Sequence, residues 1–556
     1  MTHTEPIQYT NGGCELTKTL FLGAPICIAL SIAISALPSN AQVGAPKTFS
    51  EAVQQIIRRP EYKHAMFGLE IYSLDTQKPL FMLNADKLVT PGSTTKLLTE
   101  GTALKLLGPD YRFHTLVYRT GQIDDEGNLK GDLVLVASGD PNISNRMQPD
   151  GTLAFADEDH TYGGPDARLI PGDPLIVMRE FAKQVAASGI KHILGSVFVD
   201  VSLFPEGHRE LGTGDMISPI SLNDNVIDVR YVPAKEIGSP AQLTFSPQLP
   251  YIYFENRIVT VAGAKGMFSG QETIENPDGT QTVVLNGSIG QASGPVLYGY
   301  PISSPSRFAA TTLTASLKDI GVSVDGRPDV ITDASKTKQF YKEGFKVAEH
   351  ISTPLSEEIK VTLKVSQNLH ASMMPYTLGA VLGKATEKID EKGFALEKGF
   401  LMKAGLDLSG ASQSDGAGGA PAAFYSPDFI THFLAYMAKE PNFAVFEKAL
   451  PVLGHDGTLV DTQRDTPAAG HVFAKTGTLA GRDLLNGKQL LIGKGLSGYT
   501  TTTSGQHLAF ALYVNHVELA DDRNVTEVAG QALGEIAGAA YSLPIDKSSL
   551  DVSDTR

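Results

Sequence analysis

Cysteine is nearly absent: the 556 residues hold two, Cys14 and Cys27, both close to the amino terminus. That excludes a disulfide framework or a cysteine-ligated metal for the rest of the chain. Basic residues are outnumbered as well, 46 Lys and Arg against 61 Asp and Glu, for a formal net charge of -15. Gripping a nucleic-acid backbone takes clustered Lys and Arg, so a nucleic-acid partner is not expected. Long apolar runs are missing too, with one exception. Lys18 precedes an apolar stretch from Leu20 to Leu37, and Ser39-Asn40-Ala41-Gln42 follows it. Small residues at Ser39 and Ala41 fit cleavage after Ala41, so residues 1–41 are expected to be an export signal. An uncleaved anchor is the alternative, because this stretch is just long enough to span a bilayer. Ile26 before Cys27 is bulky where a lipoprotein signal needs a small residue. The body of the protein is therefore expected to be soluble and extracytoplasmic, in the periplasm or cell envelope.

What is present suggests three or four domains from length alone. Apolar residues make up 42%, and 55 Gly and 32 Pro fit a turn-rich mixed protein. Residues 50–59 read as a helix, and Phe67 to Ser73 with Pro79 to Asn84 as a hairpin. A helix is expected from Ser93 to Leu107, stopped by Gly108-Pro109. From about Tyr111 to Val347 short alternating strands dominate, with one helical stretch at Pro174 to Ala187. Long helical patterns return at Leu355 to Leu382, Glu391 to Ala404 and Ser426 to Met437. Strands follow near His471 to Thr476 and His507 to Val514, then a helix from about Asn524 to Ala540. The simplest account is a helix-plus-sheet domain made from both chain ends and interrupted by a β-rich insertion.

Three short motifs carry chemistry. In Ser93-Thr94-Thr95-Lys96, residues i and i+3 share a helical face, so Lys96 can reach Ser93 and take its proton. Alone this is weak, since roughly two S-x-x-K matches are expected by chance in such a chain. Ser188-Gly189-Ile190-Lys191 and Ser335-Lys336-Thr337-Lys338 are such decoys, and neither opens an apolar helix. The second motif, Ser366-Gln367-Asn368, supplies another hydroxyl and an amide that could hold a carbonyl. Ser221-Leu222-Asn223 is its decoy. The third, Lys475-Thr476-Gly477-Thr478, puts a cation on a strand edge. There it can bind a substrate carboxylate and hold down the pKa of Lys96. Gly477 leaves space for substrate along the strand. Together, in this order, they form the serine acyl-enzyme set shared by β-lactamases and penicillin-binding proteins.

The chain resembles the penicillin-binding protein 4 type of D-alanyl-D-alanine carboxypeptidase/endopeptidase over roughly residues 48–545. The long stretch between Ser93 and Ser366 is the main discriminator. Further likenesses are Leu107 to Phe113, Gly131-Asp132-Leu133 with Ser138 to Pro141, Asn223-Asp224-Asn225, Leu450 to Gly454, and Asp456 to Leu459. The resemblance implies an α+β fold: a serine β-lactamase/transpeptidase-like domain from both chain ends (42–112 and 348–545). A β-rich insertion of two smaller domains (113–347) interrupts it, and a tail (546–556) follows. It implies that Ser93 attacks the penultimate D-alanine carbonyl with Lys96 as general base. Ser366 and Lys475 would pass the proton to the leaving amine, and Asn368 would position the peptide. Thr476, Gly477 and Thr478 would bind substrate, with the backbone N–H groups of Ser93 and Thr478 as oxyanion hole. Asp200 and Phe204 fall where relatives contact the diamino acid of the stem peptide, although a strand-end Asp beside a core Phe is the plainer reading.

No cofactor and no metal is expected, and His455 and the other histidines read as structural. The expected partners are peptidoglycan stem peptides and β-lactam antibiotics. Membrane contact is expected only through an uncleaved signal segment, and a homodimer is left open. Two departures stand out. Where relatives carry a Gly-Ser-Gly-Leu-Ser-Arg-like run, Asp415-Gly416 is followed by Ala417-Gly418-Gly419-Ala420-Pro421. The segment Gly481 to Lys494 looks like extra sequence, read as a surface loop. A β-lactamase on the same fold, or a catalytically weak peptidoglycan- or penicillin-binding envelope protein, are the alternatives.

Overall fold

The computed structural model describes residues 45–210, 212–277, 280–383, 388–520 and 523–546. The expected signal segment and the residues after 546 lie outside them. Both chain ends build one antiparallel five-stranded sheet, in the order 472–483, 488–501, 507–519, 66–73, 78–83. The first of these strands, which carries Lys475, is an edge. One face of the sheet is covered by helices Phe49–Ile57 and Val525–Ser542, which share an apolar core with Leu69, Leu496, Leu512 and Val514. Each of these helices begins where a side chain satisfies open backbone N–H groups. Thr48 accepts from Glu51, and Asn524 accepts from Thr526 and Glu527.

Helices Lys96–Leu107, Leu355–Lys364 and Pro427–Met437 pack together on the other side of the sheet. The first of them is buried on every side from Lys96 to Leu104, so it is a core helix rather than an amphipathic surface one. A Cβ at Gly101 would sit 2.7 Å from the Phe433 ring, which is why the crossing can be so close there.

The intervening residues form separate sheets. One has five strands in the order 329–331, 197–200, 133–136, 114–119, 346–351, with helices Ile176–Ala187 and Pro305–Asp319 packed against it. Three three-stranded sheets use 252–261, 281–290 and 267–275; 296–301, 226–232 and 242–246; and 323–324, 192–193 and 128–129. The chain leaves the first helical domain on strand His114–Arg119 and returns on its neighbour, Lys346–Ile351. Both crossings are thus made side by side.

Three local expectations change. Ser93 does not open a regular α-helix; a 3-10 turn, Gly92–Thr95, precedes the helix beginning at Lys96. Gly92 takes φ +51°, which a residue with a side chain adopts reluctantly. The single helix read from Leu355 to Leu382 is two, Leu355–Lys364 and Asn368–Leu382. Ser366 interrupts it in the left-handed region at φ +61°, and the Gln367 side chain caps the second helix by accepting from Leu369 N–H. The segment Gly481 to Lys494 is not a loop: the strands run on to Asp483 and resume at Lys488, closed by a short turn.

Candidate active site

Lys96 is the hub. Its Nζ lies 2.8 Å from Ser93 Oγ, 2.8 Å from Asn368 Oδ1 and 3.1 Å from the Ala417 carbonyl oxygen. Its side chain is fully buried, and burial pushes the ammonium down to about 7 against the opposing pull of Asp415, Asp215 and Glu100. A neutral lysine has two N–H donors and one lone pair. Asn368 and Ala417 can take the donors, which leaves the lone pair facing the Ser93 hydroxyl. Beside this trio, Lys475 Nζ donates to Ser366 Oγ at 2.9 Å and to the Thr476 carbonyl at 2.9 Å. Burial, then the neighbouring Lys96 and Lys494, hold the Lys475 ammonium well below its ordinary value.

Glycine sets the distance between the Ser93 turn and the edge strand. A Cβ at Gly477 would lie 1.9 Å from the Pro91 carbonyl oxygen, and one at Gly92 would lie 2.5 Å from Thr478 N. Neither position can carry a side chain without separating nucleophile and strand. Thr476 Oγ1 pairs with Thr458 Oγ1 at 2.8 Å. Five residues singled out in sequence, Ser93, Lys96, Ser366, Asn368 and Lys475, thus converge in two adjoining contacts.

Asp200 and Phe204 form no hydrogen bond with these five residues. Asp200 ends strand Val197–Asp200 and accepts from Tyr341 O–H and Ser202 N–H. Phe204 packs with Leu369, Met373 and Tyr376, against the helix that Asn368 begins. Two of the three decoy serines have partners of their own: Ser188 donates to Val185 and Ser335 to Asp333.

The loop after Asp415 has a steric reason for its small residues. The Asp415 carboxylate accepts from the N–H groups of Gly418 and Ala420. A Cβ at Gly418 would lie 2.1 Å from the Gly92 carbonyl oxygen, and one at Gly212 would lie 1.8 Å from Gly419. Gly418 and Gly419 are wedged between the nucleophile's turn and the 212 loop, where a side chain has no room.

Sequence reasoning missed two groups of residues. Tyr162 O–H donates to the Ser366 carbonyl at 2.6 Å, and Gln367 Nε2 donates to Thr161 Oγ1 at 3.3 Å. Residues from the region between Ser93 and Ser366 therefore hold the left-handed Ser366 turn directly, and no spacing rule announces such a contact. Replacing Tyr162 by Phe is expected to lower kcat about tenfold, the value of one hydrogen bond of roughly 1.4 kcal/mol; steady-state kinetics at unchanged Tm would check it. The second group is a buried cluster in which Arg146 Nη2 meets Asp159 and Asp224 at 2.6 and 2.7 Å. Asp159, His160 and Asp224 could in principle converge on a metal. Here the Arg146 guanidinium is the cation between the carboxylates.

A serine beside a buried lysine, with a second serine–lysine pair at its flank, is the constellation of a serine hydrolase that needs no histidine base. The chain belongs to the D-Ala-D-Ala carboxypeptidase 3 (S13) family, whose model matches residues 49–534. It is 27% identical over 458 residues to a D-alanyl-D-alanine carboxypeptidase from Actinomadura sp. (strain R39), covering 79% of this chain and 77% of the relative. To D-alanyl-D-alanine carboxypeptidase DacB from Haemophilus influenzae it is 22% identical, over 80% of this chain and 84% of the relative. The crystal structure of penicillin binding protein 4 (dacB) from Haemophilus influenzae shares the fold. Its TM-score is 0.67 at 20% identity, covering 88% of this chain and 98% of that one. The chain is a serine hydrolase of the D-Ala-D-Ala carboxypeptidase type.

Proposed function

We propose that this carboxypeptidase releases the terminal D-alanine of peptidoglycan stem peptides through an acyl-enzyme on Ser93, and that it also cuts cross-links between stems. What supports the reading is the contact of Lys96 with Ser93, Asn368 and Ala417. Neutral Lys96 takes the Ser93 proton as Oγ attacks the carbonyl of the penultimate D-alanine. The backbone N–H groups of Ser93 and Thr478, on opposite sides of the Gly92 contact, receive the oxyanion. As the intermediate collapses, Ser366 gives its proton to the departing amine and receives in its place the one that Lys96 took from Ser93, so Lys96 is neutral again; Lys475 holds the Ser366 hydroxyl for that relay. Water then hydrolyses the ester. β-Lactams are trapped because they acylate Ser93 by the same route. A cavity of about 470 Å³ adjoins Asn368 and is lined by Tyr162, Asp215, Tyr298 and Gln367, with space for the donor peptide.

We also read residues 42–112 and 348–545 as the catalytic domain and 113–347 as its insertion. Among the described residues no helix is long and apolar enough to cross a membrane. Export to the periplasm or envelope by residues 1–41 and homodimerisation belong to the same proposal. The experiment is release of D-alanine from a stem pentapeptide, run beside cleavage of a cross-linked dimer. Release of D-alanine is expected, with dimer cleavage measuring the endopeptidase share. Rapid turnover of penicillin with no D-alanine released would instead favour a β-lactamase.

A further inference from the structure

The site contains a third buried lysine that the steps above do not use. Lys494 stands on strand Lys488–Thr501 directly opposite Thr478 in the antiparallel pair, so the two side chains leave the same face of the sheet. Its Nζ donates to Thr478 Oγ1 at 2.7 Å. Only 9% of the residue is exposed, and burial alone pushes its ammonium down to about 8, with no carboxylate acting on it. Among the described residues it forms no ion pair. Helix Val525–Ser542 leaves room for it, since a Cβ at Gly530 would lie 3.3 Å from Lys494 Cε and 3.7 Å from Nζ.

A buried cation without a counter-ion is costly unless an anion reaches it when the protein works. The hydroxyl between Lys494 and the site shows which way that anion comes. An ammonium can only donate, so Thr478 Oγ1 must accept from it. The Thr478 O–H is then free to donate, and among the described residues it has no acceptor. Thr478 is partly exposed, and its backbone lies against Gly92, next to the nucleophile. In the carboxypeptidase reading, where the Thr478 backbone N–H faces the reacting carbonyl, an acceptor that docks at the Thr478 hydroxyl belongs to the departing residue.

We propose that Lys494 is a positioning residue that fixes the Thr478 hydroxyl as a donor to the free carboxylate of the departing residue. Its uncompensated charge makes the site select peptides ending in a carboxylate. The inference rests on the carboxypeptidase reading, and it adds a selectivity determinant that lies outside all three motifs. Thr478 touches the substrate; Lys494 acts through it and through its field.

The test compares two stem pentapeptides, one with a free terminal carboxylate and one with a terminal carboxamide, in wild type, Lys494→Met and Lys494→Arg. In Lys494→Met, kcat/KM for the carboxylate peptide is expected to fall about 10- to 100-fold, the range of a charge-assisted contact. For the carboxamide peptide it should stay within about twofold, so the preference collapses. The loss should appear mainly in KM, and Lys494→Arg should restore most of it. A melting temperature equal to or above wild type is expected for Lys494→Met, because a buried charge has been removed. An equal loss on both peptides, or no rescue by arginine, would overturn the inference while leaving the carboxypeptidase reading intact. Wild type that hydrolyses neither peptide would overturn that reading and this inference with it.

Discussion

Lys96→Met is expected to reduce both penicillin labelling and D-alanine release by about 10²- to 10⁴-fold, the range for loss of a general base. Ser93→Ala should abolish labelling altogether. Both variants should stay folded. The reason lies in the burial of the lysine: a desolvated ammonium favours the neutral amine, and its folded value near 7 is far below the 10.5 of an exposed lysine. The unfolded chain therefore binds that proton more tightly than the folded one. Lys96 costs stability most below about pH 7, and the cost shrinks as pH rises toward 10.5. Methionine removes a destabilising group along with the base, so Tm at pH 6 should rise or hold. In wild type, kcat/KM should climb as pH passes upward through about 7, as the lone pair facing Ser93 becomes available. A fluorescent penicillin assay across pH, with thermal melts on the same samples, checks all of this. Labelling of Ser93→Ala equal to wild type would remove the nucleophile assignment.

Much of this site could be read from sequence because its chemistry is local. Ser93 and Lys96 lie one turn apart, Ser366 and Asn368 span a single tripeptide, and Lys475 to Thr478 lie on one strand. Residue type and spacing reveal such groups. Strand-like runs at Phe67 to Ser73, Pro79 to Asn84, His471 to Thr476 and His507 to Val514 also allowed a sheet from both chain ends to be inferred, although the strand Lys488–Thr501 between the last two was not read. Other features were not legible because they depend on distant contacts. Ser366 sits in a left-handed turn that no glycine or proline marks, and it is held there by Tyr162 from the insertion, 204 residues away. The glycines at 418 and 419 read only as part of a departure from relatives. Only the packing of Gly92, Gly212 and Thr95 around them shows that bulk is excluded. Lys494 looked like the end of an inserted loop, because its partner across the hairpin is a matter of register.

Arg146→Met is expected to lower Tm by roughly 10 °C and to depress kcat, although Arg146 contacts neither Ser93 nor Lys96 in any hydrogen bond. The residue is fully buried and bridges Asp159 and Asp224. Around it, His160 places Nδ1 2.7 Å from Asp228 and Nε2 2.7 Å from Asp224. His370 places Nε2 2.6 Å from Asp224 and Nδ1 3.0 Å from Glu358. His160 is held as a donor at both ring nitrogens, and His370 donates to Asp224 from Nε2 while its Nδ1 forms an ion pair with Glu358, so both favour the imidazolium form. Burial works against that charge, but the carboxylates win and raise both to about 10. Removing Arg146 leaves Asp159 and Asp224 facing each other in a dry interior, a loss of about 3–5 kcal/mol for one partner of a buried pair. For a cooperative unit of roughly 200 residues, each kcal/mol moves Tm by about 2–4 °C. The catalytic effect follows from position. Arg146, Asp159, His160, Asp224 and Asp228 belong to the inserted segment, whereas Glu358 and His370 lie on the helices flanking Ser366. His370 is two residues past Asn368, so loosening the cluster loosens the amide that holds Lys96. The pH dependence is opposite to that of Lys96. Each imidazole binds its proton more tightly folded than unfolded, where the value is near 6.5. Their stabilisation is complete below pH 6.5 and is lost as pH rises toward 10. Between pH 6 and 10 the Tm of His160→Gln should fall less, or rise more, than that of wild type, because one of the two histidine contributions is gone while the opposing one of the buried lysines is unchanged. A Tm for Arg146→Met within about 2 °C of wild type would show that the cluster does not hold the insertion to the catalytic helices.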